Sequence, residues 1–261
     1  MTPDDHFDAI ALDGKVRSRT PAADQPIPDY LTRHYRWAYI DPPAIAFFDQ
    51  GWVVNLILWG QFRRLSERAF AELGDAPLEG TTLQVACVYG DLSPRLAQRV
   101  GPHGQLEIVD IVPQQLRNVA RKIGSAGTVT TRLCNSADLG GSASRYDRAL
   151  VFFLLHEQPE AVRRATLSEV IRVVRPGGRI VIVDYHQPHR LHPLRYFMRP
   201  VLRRLEPFAM DLWRDPLETW LPPEGYRILH HTLLFGRLYQ VLVLQADPHA
   251  QPAATATASI R

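Results

Sequence analysis

Residues 83–93 read Leu-Gln-Val-Ala-Cys-Val-Tyr-Gly-Asp-Leu-Ser, which predicts an apolar strand, a loop and the start of a helix. The next apolar run, Ile108-Val109, ends in Asp110, about 20 residues beyond this loop. At the carboxyl edge of a parallel sheet such a loop approaches a nucleotide-type cofactor, and an acid in this place accepts hydrogen bonds from both ribose hydroxyls. Asp110 is therefore predicted to bind a cofactor ribose. The alternative is that Asp110 only caps the helix beginning at Pro113.

The alternation of strands and helices continues along the chain. Short apolar runs alternate with amphipathic segments of helix length, which is typical of βαβ units and a parallel sheet. Predicted strands cover residues 83–87, 105–110, 128–133, 148–154 and 179–184, and predicted helices cover residues 93–100, 113–123 and 159–174. Two further apolar runs, 227–234 and 237–244, are separated by Phe235-Gly236, which favours an antiparallel hairpin. The sequence thus predicts an α/β fold, with a mostly parallel seven-stranded sheet that ends in an antiparallel pair.

The composition is that of one globular domain. The chain has 261 residues, of which 46% are hydrophobic and 22% are charged. We expect disorder at residues 1–27 and 246–261 and a helical cap over residues 28–76. The main domain is expected over residues 80–245, with an insert at 185–221.

Several classes of protein are disfavoured. The first residues lack the apolar core of a secretory signal, and the most apolar stretch, 40–65, is interrupted by polar residues, so we expect neither export nor a spanning helix. Cys87 and Cys134 form no disulfide framework, which indicates a reducing compartment, the cytoplasm. The net charge of +3 comes with arginines spread along the chain, unlike the basic face of a nucleic-acid-binding protein.

Four segments resemble, in order, the motifs of class I methyltransferases that depend on S-adenosylmethionine (SAM). They are the loop at 83–90, the ribose acid at 108–110, the adenine segment at 134–139 and the turn at 173–179. The resemblance spans residues 80–245 and implies a Rossmann-like fold that binds SAM. The cofactor-binding residues that it implies are Val85, Ala86, Cys87, Gly90, Asp110, Ile111, Asn135, Ser136 and Phe152.

The cofactor loop departs from the pattern of that family. Ala86 and Val88 stand where the family usually has glycine, which permits a positive φ and close approach of the backbone to the cofactor. The β-branched Val88 resists both, so we expect a reshaped loop or a shifted cofactor, which puts ordinary methyl transfer in question. Tyr89 and Asp91, in the same loop, are candidate catalytic residues that can reach the methionine end of SAM. For Asp91 a helix N-cap is the alternative.

Further features indicate more specific families within this class. Residues 175–184, Arg-Pro-Gly-Gly-Arg followed by Ile-Val-Ile-Val-Asp, are similar to a turn of quinone and menaquinone C-methyltransferases. The altered loop, the Phe-Phe-Leu-Leu-His-Glu run at 152–157 and the arginine-rich insert resemble the rhodoquinone biosynthesis family. This resemblance implies conversion of ubiquinone to rhodoquinone, in which an amino group replaces a ring methoxy group, with SAM as nitrogen donor and manganese assisting. The alternatives are methylation of a quinone at carbon or oxygen and a scaffold that binds SAM without catalysis.

Candidate catalytic and metal-binding residues follow two strand ends. Asp184, Tyr185, His186 and His189 follow the fifth strand, and Tyr185 and His186 are candidate catalytic residues. Asp184, His186 and His189 are also candidate manganese ligands, because manganese accepts carboxylate and imidazole ligands. The alternative for the histidines is to cover a membrane or a cofactor edge. His156, after the fourth strand, is a candidate catalytic base or ligand, or an ordinary loop histidine.

The insert carries an amphipathic pattern. Arg195, Arg199 and Arg203 recur at four-residue spacing among apolar residues, which predicts a helix that lies at a membrane interface and attracts anionic lipid. A lid packed on the core is the alternative, and the two roles are compatible. The expected partners are ubiquinone as substrate and membrane lipid, with no nucleic acid, on the cytoplasmic side of the inner membrane. The oligomeric state is left open.

Overall fold

The computed structural model describes residues 17–19, 27–35, 42–124 and 127–247. The strands of its single sheet are β1 Arg17–Arg19, β2 Leu78–Val85, β3 Val100–Asp110, β4 Val129–Leu133, β5 Tyr146–Phe152, β6 Val174–Tyr185, β7 Gly225–Leu234 and β8 Tyr239–Asp247. The strand order is β1-β4-β3-β2-β5-β6-β8-β7. Neighbouring strands run parallel, except that β8 is antiparallel to both β6 and β7.

The helices lie before and between these strands. Within the described residues they are α1 Asp29–His34, α2 Pro42–Phe48, α3 Gly51–Ile57, α4 Phe62–Leu73, α5 Leu92–Arg99, α6 Pro113–Ile123, α7 Glu160–Val173, α8 Leu194–Leu205 and α9 Ala209–Arg214. Short 3₁₀ turns occur at Leu155–Glu157 and Leu217–Trp220. No helix in these ranges is long and apolar enough to cross a bilayer.

The predicted fold is confirmed. Ala149, Leu150 and Val151 of β5 are fully buried, as expected of a central parallel strand, and the β7–β8 hairpin supplies the antiparallel end. The chain runs from β2 outward through β3 to β4, and then returns to β5 on the other side of β2. The carboxyl ends of β2 and β5 therefore border the crevice where open parallel sheets bind ligands.

Some strand boundaries differ from the predicted ones. The short strand β1 is additional, and it lies in the segment predicted to be disordered, where pairing with residues 130–132 of β4 supplies an order that no local pattern reveals. Residues 1–16 and 20–26 of that segment lie outside the described residues. Strand β6 begins at Val174 and includes the Pro-Gly-Gly turn, because its pairing with β5 shifts register there. Strand β8 continues to Asp247, into the predicted tail.

The described residues of the predicted cap form α1 to α4. Helix α4 buries Leu65, Ala69 and Phe70 in the main core and packs on β5, β6 and β8. Leu31 and Tyr35 of the α1 region form a small separate core with Val112, just after β3. Parts of the cap therefore lie at the carboxyl edge of the sheet.

The predicted insert contains α8 and α9. Helix α8 runs unbroken through Pro200 and buries Met198 and Leu202. Because Met198 and Leu202 belong to the main core, the insert is packed on the domain.

Candidate active site

A cavity opens at the carboxyl edge of the sheet. The segments that follow β2, β3, β4 and β5 line it, together with side chains of the cap and the insert. The predicted site residues that line it are Ala86, Cys87, Tyr89, Asp110, Ile111, Asn135, Ser136, Phe152, His156 and Tyr185. Strand ends that are far apart in the sequence therefore meet at one site.

Asp110 ends β3 with its carboxylate fixed by two backbone donors. The N–H of Cys87 donates to Oδ2 at 2.7 Å, and the N–H of Val112 donates to Oδ1 at 2.8 Å. The side chain of Cys87 and the backbone of Ile111 also contribute hydrogen bonds to this carboxylate, which lines the cavity at the end of β3. Val112 precedes α6, and no side chain caps that helix, so the cap alternative for Asp110 is not supported. Burial raises the pKa of Asp110 to about 6, although the backbone hydrogen bonds oppose the shift.

The backbone of the cofactor loop is left-handed at two places. Ala86 has φ of 71° and Gly90 has φ of 80°. Val88 is not among the described residues with positive φ, so its branched side chain meets no strain of this kind, although it lines the cavity beside the predicted cofactor site. The glycine-like conformation falls instead on Ala86, at a cost of about 1–2 kcal/mol for an L-residue. A Cβ at Gly90 would lie 3.2 Å from the ring of Phe62, so this position needs glycine.

Gly90 connects the loop to the cap. Its N–H donates to Oδ1 of Asp49 at 3.1 Å, and its carbonyl accepts from Nζ of Lys122 at 2.7 Å. Lys122 also pairs with Asp49 at 2.6 Å. Gly90 therefore positions the loop and does not line the cavity. Asp91 does not line it either, because its side chain is 65% exposed and lies 3.7 Å from Arg95; it stands at the N-cap position of α5 without a capping hydrogen bond.

Tyr89 faces the cavity as a neutral phenol. Its hydroxyl accepts a hydrogen bond from Nε2 of Gln115 at 2.7 Å, and its ring stacks on Phe48 of the cap, with centroids 6.2 Å apart. Burial raises the pKa of Tyr89 above its ordinary value. Val85, which the resemblance also implied, is fully buried in β2 and does not line the cavity.

The segment after β4 supplies a polar edge of the cavity. Ser136 Oγ accepts from Nε2 of Gln158 at 2.9 Å and lies 3.0 Å from Oγ1 of Thr166. Asn135 Oδ1 accepts the N–H of Ala137 at 3.0 Å. These hydrogen bonds hold Asn135 and Ser136 in place in the lining of the cavity, to which Asp110 also belongs.

His156 is held between carboxylates. Its Nδ1 lies 2.9 Å from Oδ1 of Asp184, and its Nε2 lies 3.0 Å from Oε2 of Glu206 and 3.7 Å from Oε1 of Glu157. Burial alone lowers the pKa of His156, but the charges of Asp184 and Glu206 outweigh burial and raise it well above its ordinary value. The raised pKa favours the charged form of His156, whose two ring N–H groups then face Asp184 and Glu206, so this arrangement does not suit the predicted role of base.

Aromatic rings surround this imidazolium. The ring of Tyr185 lies 4.9 Å from that of His156, and the ring of Phe153 lies 5.3 Å from Tyr185 and 5.9 Å from His156. Phe153 has φ of 51°, a rare conformation for an aromatic residue that persists only where the surroundings fix it. The site can thus hold a flat ring beside the buried charge of His156.

The predicted manganese ligands are not brought together. Asp184 is fully buried and is engaged with His156 and with backbone N–H groups, including that of Leu155 at 2.8 Å. His186 Nδ1 lies 2.9 Å from the carbonyl of Arg237, and the N–H of His189 donates to Gly236, so both residues are tied to the β7–β8 connection and neither lines the cavity. In the described part of the chain no group of three or more His, Cys, Asp or Glu side chains can hold a metal ion. The residues present do not fit a manganese site, and we derive no step through a metal.

Several residues of the cavity were not predicted from the sequence. They are Tyr30, Tyr35, Gln115, Gln158 and Glu206. Gln158 directly follows the candidate pair His156-Glu157, and this adjacency in the sequence could have indicated it. Glu206 lies 50 residues beyond His156, and no sequence pattern marks it.

An exposed apolar surface adjoins the cavity. It comprises Phe47, Trp52, Leu56 and Ile57 of α2 and α3, and Tyr196, Phe197, Val201 and Leu205 of α8. The rings of Trp59 and Phe197 meet edge to face, 5.7 Å between centroids, and this contact joins the two groups. Ile57 both lines the cavity and is 45% exposed, so the apolar surface reaches the cavity itself.

Comparisons with known proteins agree with this fold. Residues 82–178 match the family model described as a methyltransferase domain. The chain is 31% identical over 133 residues to the 2-phytyl-1,4-naphtoquinone methyltransferase of Nostoc sp., across 50% of this chain and 57% of that protein. It is 27% identical over 139 residues to the ubiquinone/menaquinone biosynthesis C-methyltransferase UbiE of Pseudomonas putida, across 52% of this chain and 54% of that protein. The chain spans about half the length of the curated relatives it matches.

Two solved structures show which known fold this chain resembles. Geranyl diphosphate C-methyltransferase of Streptomyces coelicolor A3(2), in complex with Mg²⁺, geranyl diphosphate and S-adenosyl-L-homocysteine, matches with a TM-score of 0.54 at 15% identity, across 85% of this chain and 99% of that chain. N-methyltransferase NodS of Bradyrhizobium japonicum WM9, in complex with S-adenosyl-L-homocysteine, matches with a TM-score of 0.52 at 11% identity, across 84% and 99%. The chain has the Rossmann-like class I methyltransferase fold. A fold by itself does not fix a reaction.

Proposed function

We propose that this protein is an enzyme that binds SAM in the cavity and transfers a group from it to the ring of a lipid-soluble quinone. The observation that carries the proposal is the buried Asp110 carboxylate, which is fixed by the N–H groups of Cys87 and Val112 and lines the cavity at the strand end where related folds bind a ribose. The two curated relatives carry quinones in their names, which supports a quinone as substrate.

The residues of the cavity fit SAM. Asp110 would accept hydrogen bonds from both ribose hydroxyls, the loop from Ala86 to Tyr89 would lie along the cofactor, and Asn135 and Ser136 would border the adenine, as the resemblance implies. When bound, SAM would supply an activated methyl group on its sulfonium sulfur. The chain's own residues position it and exclude water from the crevice.

The far side of the cavity suits a quinone ring. The rings of Phe153 and Tyr185 provide flat apolar contacts, and the raised pKa of His156 favours a positive charge beside them. A positive charge in a buried site stabilises negative charge that develops on a nearby quinone oxygen.

Methyl transfer is the reaction that the relatives favour. Methylation at a ring carbon requires the electron-rich, reduced ring, and removal of a hydroxyl proton increases its nucleophilicity. Glu157 and Glu206 line the cavity and are the carboxylates placed to accept that proton. His156 is not suited to this task, because it already carries its proton.

Amino transfer is the second candidate, and the charge of His156 favours it. In this reaction an amine adds to the ring carbon that bears a methoxy group, and methoxide leaves and takes up a proton as methanol. The ring must be electron-poor, so a positive charge close to the quinone carbonyl accelerates the addition. With SAM as the nitrogen donor, as the resemblance implies, the nitrogen must also be released from the α-carbon of SAM. If the quinone ring takes up the two electrons of the Cα–H bond, water can hydrolyse the resulting C=N bond, which releases a 2-oxo acid and leaves rhodoquinol, the reduced form of rhodoquinone. The described residues do not fit the manganese that the resemblance also implies, and neither reaction is routed through a metal.

The exposed apolar surface supports peripheral contact with a membrane. Its aromatic and aliphatic side chains adjoin the cavity, so a quinone that leaves the bilayer can enter without crossing water. We place the enzyme on the cytoplasmic side of the inner membrane. If the purified protein does not sediment with anionic vesicles at low salt, the membrane contact is refuted.

The reaction is tested by isotope transfer. The protein is incubated with ubiquinone or its quinol, and with SAM labelled either in the methyl carbon or in the amino nitrogen, and the quinone is analysed by mass spectrometry. Methyl label in the ring supports methylation, and nitrogen label supports amination. If neither label is transferred while SAM still binds, the enzyme proposal fails and the scaffold alternative stands.

A pair of variants tests the role of His156. His156→Gln removes the positive charge beside the ring and should abolish most nitrogen transfer, whereas methyl transfer depends on this charge less. His103→Gln is the matched control, because His103 is exposed near the amino end of β3, away from the site. Equal nitrogen transfer by His156→Gln and the control would contradict the assigned role.

A further inference from the structure

The insert encloses a second depression, which we name the arginine groove. It lies between α8 and α9 and is lined chiefly by Arg195, Arg199, Arg203, Trp213 and Arg214. None of these residues lines the cavity described above. The three arginines of α8 are four residues apart and therefore share one helix face.

The positive charge of the arginine groove is only partly compensated. Arg214 pairs with Asp211 at 3.1 Å and with Asp215 at 2.7 Å, and Arg195 donates to the carbonyl of Pro188 at 2.8 Å. Within the described part of the chain, neither carboxylate nor hydrogen-bond acceptor contacts the guanidinium of Arg199 or Arg203. Like charges at four-residue spacing repel, so this arrangement costs free energy unless an anion neutralises it.

The indole of Trp213 gives an independent indication of a ligand. Trp213 is only 4% exposed, and its Nε1–H is buried without a hydrogen-bond partner among the described residues. Buried donors are nearly always satisfied, and an unsatisfied one calls for a missing acceptor. Trp213 lines the arginine groove, so this donor belongs to a residue beside the place where an anion would bind.

We propose that the arginine groove binds a phosphate group. A phosphate carries up to two negative charges and several acceptor oxygens, which match two uncompensated guanidinium groups and a nearby indole donor. A carboxylate has only one charge and two oxygens. The phosphate of a lipid headgroup and free inorganic phosphate share this chemistry. The inference does not depend on the quinone reaction, because the groove residues lie outside the cavity.

Binding is measured by calorimetry with three probes. They are inorganic phosphate, dihexanoyl phosphatidylglycerol below its micelle concentration, and acetate as the singly charged comparison. We expect saturable binding of at least one phosphate probe and much weaker binding of acetate. Tighter binding of the phosphatidylglycerol assigns the groove to lipid headgroups, and tighter binding of inorganic phosphate assigns it to the free anion.

Matched variants locate the binding. The double variant Arg199→Gln/Arg203→Gln should weaken phosphate binding by about 100-fold, roughly tenfold for each charge-assisted hydrogen bond that is removed. The control Arg117→Gln/Arg121→Gln removes the same charge from exposed positions on α6 and should bind as the wild type does. Equal melting temperatures show that both variants fold. The proposal is overturned if no phosphate probe binds, if acetate binds equally well, or if the groove variant binds like the control. None of these readouts depends on catalysis, so failure of the quinone proposal would leave them unchanged.

Discussion

The pKa of Asp110 makes cofactor affinity depend on pH in a calculable way. Burial raises this pKa to about 6, and only the ionised carboxylate can accept hydrogen bonds from two ribose hydroxyls at full strength. With that pKa, about one molecule in eleven is ionised at pH 5 and nearly all are ionised at pH 7.5. The dissociation constant of S-adenosylhomocysteine should therefore rise about tenfold as the pH falls from 7.5 to 5.

Isothermal titration calorimetry at several pH values measures this effect, and two variants show which residue causes it. Asp110→Asn should bind about 10 to 100 times more weakly at pH 7.5, because charge-assisted hydrogen bonds are removed, and its affinity should no longer vary with pH. His156→Gln should keep the pH dependence, because the raised pKa of His156 leaves it protonated across this range. A wild-type affinity that is constant with pH, or an Asp110→Asn variant with the same pH dependence, would refute the reasoning.

Two further expectations concern the loop and the imidazolium. Ala86→Gly should stabilise the protein by about 1 kcal/mol, because glycine adopts the left-handed φ of this position without strain; Ala97→Gly, inside α5, should destabilise it by about the same amount. Thermal melting compares the two, and a lower stability of Ala86→Gly would contradict the strain assigned to the loop. Glu206→Gln should lower the pKa of His156, because it removes one of the two charges that raise it, so the ring signals in NMR should titrate at lower pH. Glu218→Gln, which alters the partner of His231, is the control, and an unshifted titration of His156 in Glu206→Gln would contradict the assigned pairing.

The fold follows closely from local sequence patterns. The apolar runs of β2 to β8 and the helical periods between them indicate each element, and α6 begins and ends at the predicted residues, Pro113 and Ile123. Strand β1 could not be found in this way, because its order comes from pairing with β4 and not from its own residues. The early starts of β2 and β3 were missed for a related reason, since their first residues are partly exposed and lack a continuous apolar pattern.

From the sequence, site residues were predictable only where they follow the end of a strand. Asp110, the loop after β2 and the segment after β4 occupy places that the sheet topology dictates. The surroundings of His156 were not predictable, because Glu206 comes from the insert, and only packing of the insert on the domain brings its carboxylate to Nε2. The metal ligands could not be predicted for a similar reason. His186 and His189 were proposed from their spacing in the sequence, but hydrogen bonds to the β7–β8 connection set the position of both residues.

A crystal structure with S-adenosylhomocysteine tests the central claim most directly. We expect the adenosyl group in the cavity, with both ribose hydroxyls within hydrogen-bond distance of the Asp110 carboxylate and the sulfur on the side of His156 and Tyr185. A ligand bound elsewhere, or a ribose that does not contact Asp110, would contradict the account.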